Sequence, residues 1–176
     1  MNQPVELPVL RGERVVLRPL CRDDTPTVRA MLAEPEVARW WGEYDDARLE
    51  RDFFDALCVS AYAIEVDGEW AGVIMFEEVK DPDYKSASID ITLSTAIQGG
   101  GFGTDALRTL IRYLINVRGH HRVTIDPAAD NARAIHVYEK VGFKPVGIMR
   151  AYERRGDGQW HDGLLMDLLA GEFGDR

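Results

Sequence analysis

A chain of 176 residues, 45% of them hydrophobic and 29% charged, has the size and composition of one soluble globular domain and not of a disordered tail. Its formal charge of -9 argues against nucleic acid, whose binders cluster Lys and Arg against phosphate, and suits a cationic small molecule or a basic peptide. No apolar run is long enough to cross a bilayer, and Met1 to Leu10 lacks the basic start and apolar stretch of a signal peptide, so a cytoplasmic protein with no membrane partner is expected.

Residues 1–10 read as an N-terminal extension, 11–170 as a single domain and 171–176 as a tail. Gly12 to Leu20 reads as a short strand. Asp23-Asp24-Thr25-Pro26 then supplies an N-cap and an early proline for a helix through about Ala33, ending near Pro35. Val37-Ala38-Arg39-Trp40-Trp41-Gly42 is expected as a loop or helical turn, ahead of a helix from Asp45 to about Leu57. Ala61 to Val66 and Trp70 to Val79, separated by Asp67-Gly68-Glu69, predict a hairpin. Ala87 to Ser94 alternates, with Ile89, Ile91 and Leu93 on one face and Ser88, Asp90, Thr92 and Ser94 on the other, which predicts a half-buried strand.

After a glycine-rich turn, Leu107, Leu110, Ile111, Leu114 and Ile115 repeat at helical spacing up to Arg118-Gly119. Val123 to Asp126 is the next strand, and the intervening helix makes it a parallel neighbour of the strand before it. A helix from about Ala132 to Val141 follows, capped by Asp130 or Asn131 and stopped by Gly142. Gly147 to Arg154 and His161 to Leu168 close the chain as a hairpin. The order is α+β, with one parallel junction in an otherwise antiparallel sheet.

Between a strand and a helix N-terminus, Gln98-Gly99-Gly100-Gly101-Phe102-Gly103-Thr104 offers backbone N–H groups and a helix dipole to a phosphate. No Lys-Ser or Lys-Thr follows, so it is not a P-loop. Gly101-Phe102-Gly103-Thr104-Asp105-Ala106 also fits the dinucleotide pattern G-x-G-x-x-A, with Asp126 at the end of the next strand. Its place in mid-chain, after antiparallel hairpins and with few residues to follow, weighs against a doubly wound sheet. Cys21 and Cys58 have no metal spacing and read as buried or half-buried free thiols. No HExxH or paired CxxC accompanies the four histidines, and no metal site is expected.

The pattern Gln98-x-x-Gly101-x-Gly103, followed by Asn131-x-x-Ala134-Ile135-x-x-Tyr138-Glu139-x-x-Gly142-Phe143, resembles the acetyl-CoA motifs of the GCN5-related N-acetyltransferase superfamily over about Arg11 to Leu169. The resemblance implies a mixed, mostly antiparallel sheet of six to seven strands, splayed between the fourth and fifth, with about four flanking helices. It implies acetyl-CoA as co-substrate. Gln98, Gly99, Gly100, Gly101, Phe102, Gly103 and Thr104 would hold the pyrophosphate, while Ile91, Leu93, Asn131 and Ala134 would border the cofactor arm. Tyr138 would stand near the sulfur, where a phenol can protonate the departing thiolate.

An alkyl ammonium, with a pKa of about 10, must lose a proton before it attacks. Asp90, on the polar face of the fourth strand, is the candidate base, and Asp126 the candidate site for a second ammonium. Glu77 and Glu78 are reserve acids on the third strand. Trp40 and Trp41 can wall an acceptor site, stacking on sugar faces or cations. Trp40-Trp41-Gly42, Ile89-Asp90 and Ile125-Asp126-Pro127 resemble the aminoglycoside 6'-N-acetyltransferases, whereas Tyr152 to Met166 is similar to the branch that acetylates ribosomal-protein N-termini. The expected reaction is therefore acetyl transfer to a primary amine of a cationic small molecule, foremost the 6'-amine of an aminoglycoside, by direct attack in a ternary complex, by a monomer or homodimer. Polyamine or protein N-terminal acceptors, a non-catalytic CoA sensor and an NAD-binding oxidoreductase stand as alternatives.

Overall fold

The computed structural model describes residues 7–55 and 59–174. Among these residues eight strands, β1 (Leu10–Arg11), β2 (Val15–Pro19), β3 (Val59–Val66), β4 (Glu69–Val79), β5 (Ser86–Leu93), β6 (Arg122–Ile125), β7 (Lys144–Arg154) and β8 (Trp160–Leu169), pair in the order β1-β2-β3-β4-β5-β6-β8-β7. The β3–β4 hairpin turns on Asp67 and Gly68, both at positive φ (53° and 83°), as its Asp-Gly sequence requires. Every neighbouring pair is antiparallel except β5 and β6.

That parallel contact is short. Ala87 pairs with Val123 and Ser88 with Thr124, after which β5 runs on to Leu93 while β6 stops at Ile125. The two strands part beyond these pairs, so the sheet opens at this junction.

Among the described residues, five α-helices cover the sheet: α1 (Thr25–Leu32), α2 (Pro35–Trp41), α3 (Asp46–Glu50), α4 (Phe102–Asn116) and α5 (Ala132–Val141). On one face Tyr62, Ile64, Ile74, Phe76 and Ile89 pack against Leu107, Leu110, Ile111 and Leu114 of α4 and Tyr138 and Val141 of α5. Burying each such aliphatic side chain contributes roughly 1.5–3 kcal/mol. On the other face Ala61, Val73 and Met75 pack beneath Val28, Met31, Leu32, Val37 and Leu49. The strict alternation along β5 thus sends Ile89 into one core and leaves Asp90 on the opposite face, across from Met75.

Several local expectations change. Val37 to Trp41, expected as a loop or helical turn, belongs to a helix, because Pro35 stands at the N-terminal turn of α2; α1 itself ends at Leu32, ahead of Pro35 as expected. The expected helix from Asp45 keeps its cap, the Asp45 carboxylate accepting from the Arg48 N–H at 2.7 Å, but α3 gives way to one π-helical turn at Arg51–Asp55, and its expected end at Leu57 lies outside the described residues. Asp24 sits at the N-cap of α1 without capping it. Its carboxylate accepts from Arg18 at 2.7 and 2.8 Å and from the Cys21 N–H at 2.9 Å, and the Arg18 guanidinium holds its pKa at about 2. Cys21 is exposed, with its thiol on Asp24, rather than buried; Cys58 lies outside the described residues. No helix among the described residues is long and apolar enough to cross a membrane.

Candidate active site

Where β5 and β6 part, a cleft of about 570 Å3 runs between them, walled by α2 at one end and by the start of α4 at the other. The glycine loop forms the second end. Gly99 and Gly101 lie in the left-handed region, at φ 86° and 84°, and Gly101 is the N-cap of α4, so the first-turn amides of a 15-residue helix open towards the cleft. Gln98 fixes the loop from both sides: its amide donates to the Leu93 carbonyl at 2.8 Å, and its oxygen accepts from Arg133 at 2.9 Å. Asp105, in the first turn of α4, faces away from the cleft. Its carboxylate accepts the N–H groups of Glu13, Arg14 and Val15 at 3.1, 2.7 and 3.0 Å. Gly12 permits this clamp, since a Cβ there would stand 2.5 Å from the Thr109 hydroxyl and 2.7 Å from Asp105.

Asn131 caps α5, accepting from the Ala134 N–H at 3.1 Å. The helix then carries Ala134, Val137 and Tyr138 into the cleft beside Leu93 and Ile91 of β5. Unpaired amides at a helix N-terminus, a neighbouring guanidinium and an apolar trough behind them fit a pyrophosphate with a pantetheine-like arm. Gly99, Gly101, Gly103, Thr104, Gln98 and Arg133 would hold the diphosphate, with Ile91, Leu93, Asn131, Ala134 and Val137 along the arm.

The α2 end of the cleft is acidic and aromatic. Asp90 of β5 and Asp126, the residue after β6, both face it from opposite sides of the opening. Protein surrounds Asp90 on nearly all sides, and this burial, with the charges of Asp126 and Glu77, raises its pKa to about 7. Its carboxylate remains open to water through the cleft mouth, so the displacement is largest once ligands fill the cleft. Burial likewise raises Asp126. Tyr138 is 9% exposed, and burial together with the two acids keeps its phenol protonated well above the ordinary tyrosine range. Tyr44, whose ring lies 4.1 Å from the Arg48 guanidinium, is pushed by burial to about 12.

The structure brings Asp90, Asp126, Tyr138, Trp40, Trp41, Gln98, Gly99, Gly101, Gly103, Thr104, Ile91, Leu93, Asn131 and Ala134 onto one cleft. It does not bring in Phe102, whose ring lies 4.1 Å from the Arg14 guanidinium, or Gly100, whose carbonyl accepts from Arg14 at 2.6 Å; both are on the loop's outer side. Glu77 is exposed beyond the cleft rim, acting on Asp90 only through its charge. Glu78 points elsewhere, held by Arg118 at 2.5 and 3.0 Å and by His120 at 2.7 Å. The tryptophans divide: Trp41 stacks on Phe53 at 6.2 Å, whereas Trp40 lies under the guanidiniums of Arg39 and Arg155, at 4.8 and 5.2 Å.

Sequence reasoning missed Tyr44, Arg133, Glu153 and Tyr152. Two extra residues bulge from β7, Met149 pairing with Gly163 and Glu153 with His161. Ala151 sits at φ 50° in the bulge, its N–H donating to Asp162 at 2.8 Å. Tyr152 thereby crosses Gly163, where a Cβ would lie 2.8 Å from its ring, and its phenol interacts with Asp126. Asp162 followed by Gly163 was the one signal available for this arrangement.

The sequence profile of the Acetyltransferase (GNAT) domain matches residues 14–144. A spermidine N(1)-acetyltransferase of Escherichia coli (strain K12) is 27% identical over 165 residues, covering 90% of this chain and 88% of the relative. An aminoglycoside N(6')-acetyltransferase type 1 of Klebsiella pneumoniae is 28% identical over 157 residues, 77% of each. Among solved structures, spermidine N-acetyltransferase from Vibrio cholerae in complex with CoA and spermine superposes with a TM-score of 0.79 at 21% identity, over 92% of this chain and 98% of that one. A ribosomal L7/L12 alpha-N-protein acetyltransferase with bound coenzyme A gives 0.80 at 19% identity, with 92% and 98% coverage.

Proposed function

Because the chain belongs to the GNAT family, N-acetyltransferases that draw their acetyl group from acetyl-CoA, we propose that it acetylates a primary amine of a cationic small molecule, the 6'-amine of an aminoglycoside. The observation that carries this reading is the pairing of Asp90 and Asp126 across the open junction, beside Tyr138 and under the Trp40, Trp41 and Tyr44 wall. Two acids facing one cavity attract an acceptor with more than one ammonium, and the aromatic wall suits sugar faces and cationic edges.

Direct attack in a ternary complex needs no nucleophile from the protein. Asp90 takes the first proton from the ammonium. The neutral amine then forms its N–C bond to the thioester carbonyl as the C–S bond breaks. Tyr138, held protonated by burial and by the neighbouring acids, donates to the departing sulfur; the second proton, released by the new amide nitrogen, balances that donation. Asp126 holds a second ammonium of the acceptor.

A polyamine acceptor is the second reading, supported by the spermidine acetyltransferase relative that covers 90% of this chain and by the same acid pair. Thiol release from acetyl-CoA, followed against aminoglycosides, spermidine and short peptides, tests both. The first reading expects turnover of aminoglycosides with a 6'-amine and none of those with a 6'-hydroxyl. Faster turnover of spermidine would favour the second, and turnover of peptides alone would overturn both.

A further inference from the structure

One guanidinium at the acceptor end has no part in the chemistry above. Arg155 follows β7 on a surface hairpin, yet its side chain is 13% exposed. Its terminal nitrogens donate to both oxygens of Asp130 at 3.0 and 2.7 Å, its Nε donates to Glu153 at 2.6 Å, and its guanidinium lies over Trp40. These partners belong to three elements. Trp40 is on α2, Asp130 precedes the α5 cap Asn131, and Glu153 is on β7. The α2 helix is carried by the β1–β5 side of the opening, whereas α5 and β7 belong to the other side. Among the described residues, sheet pairing joins those sides through two residue pairs alone, Ala87 with Val123 and Ser88 with Thr124.

We infer that Arg155 is a latch across the acceptor mouth and a positioning residue for the acceptor. A planar fork that pairs bidentately with one carboxylate, donates to another and lies over an indole has its geometry set in three directions at once. Trp40 and Glu153 line the cleft; Arg155 does not, and acts through them. Its hold on Asp130 also fixes the residue ahead of α5, the helix that carries Tyr138. Lysine cannot reproduce the bidentate fork. The role in acceptor binding rests on the proposed amine acetylation, but the bridging of α2 to the hairpin does not.

The test uses the full chain with Arg155→Ala, Arg155→Lys and, should Arg155→Ala fail to fold, Asp130→Asn. Hydrogen exchange on the free protein, with no acceptor, comes first. Peptides from Pro35–Trp41 and from β7 should both exchange faster in Arg155→Ala, by about threefold or more, while α4 is unchanged. Acceptor KM should rise about tenfold, with acetyl-CoA KM within about twofold, and Arg155→Lys should restore part of the loss. Asp130→Asn should reproduce the pattern more weakly. Unchanged exchange in α2, or an equal rise in both KM values, overturns the latch. If no amine is acetylated, the acceptor reading falls while the exchange data still decide whether α2 is tied to the hairpin.

Discussion

Replacing Asp90 by Asn removes the proposed base without changing the shape of the side chain. With its pKa at about 7 in the filled cleft, the carboxylate is about 90% ionised at pH 8 and about 1% at pH 5, so kcat of the unmodified chain, which reports the ligand-bound enzyme, should fall about 90-fold over that span. An ordinary aspartate, ionised at both ends of the range, would change by about a tenth. At pH 8 the Asn variant should lose about 100- to 10,000-fold in kcat, and its acid limb should flatten. Since the Asp126 charge is the second cause of the upward shift, after burial, Asp126→Asn should move the acid limb of the Asp90 enzyme to lower pH.

Stability moves the opposite way from activity. A carboxyl raised in the folded state weakens folding as pH climbs from its unfolded value of about 4 towards 7, and fully above that. Asp90→Asn should therefore raise Tm at pH 8 and leave it unchanged at pH 4, by a small amount because water reaches the carboxylate in the empty cleft. Thiol-release rates and thermal melts across pH 4–9 measure both effects. A flat wild-type profile down to pH 5, or an Asn variant with the same profile, would refute Asp90 as the base.

Tyr138→Phe keeps the ring packed on Phe143, 6.2 Å away, and removes the proposed donor to sulfur; kcat should fall about 100-fold with little change in acetyl-CoA KM, and equal losses in both would place the role in binding instead. Asp105→Ala deprives three backbone N–H groups of their half-buried acceptor, a loss of about 2–3 kcal/mol that should lower Tm by about 5–10 °C and weaken acetyl-CoA binding through the loosened loop. Glu78→Gln leaves Arg118 and the buried His120 without their counter-charge and should cost about 2–3 kcal/mol, with kcat/KM unchanged; a collapse of kcat/KM at constant Tm would return Glu78 to the chemistry.

The features legible in the sequence are those whose physics is local. Asn131 and Gly142 mark α5 because a cap and a left-handed stop act within one turn, and Gly142 does lie at φ 119°. Alternation along Ala87 to Ser94 placed Asp90 opposite the core face because period two leaves it nowhere else. Asp24 resisted the same logic. Its capping site was correctly located, but Arg18, six residues earlier on β2, offers a charged bidentate partner that is stronger than one backbone N–H. Pro35 misled for a related reason: a proline that cannot continue one helix is well suited to begin the next, and only tertiary packing of Val37 beneath α1 distinguishes the two.

The acceptor end was the least legible because it is assembled across strands. Tyr152 reaches Asp126 by way of a bulge whose extra residues, positive-φ alanine and facing glycine belong to different segments. Arg155, in the turn between β7 and β8, is 13% exposed and is held by three partners, Trp40, Asp130 and Glu153. The cofactor end is made mostly of backbone and one continuous loop, so its residue types announce it. An acceptor pocket built from side chains brought together by the splay can change its partners without altering any local pattern. This is the physical reason that the donor follows from the motifs, whereas the choice of amine has to be tested at Asp126, Tyr152 and Trp40.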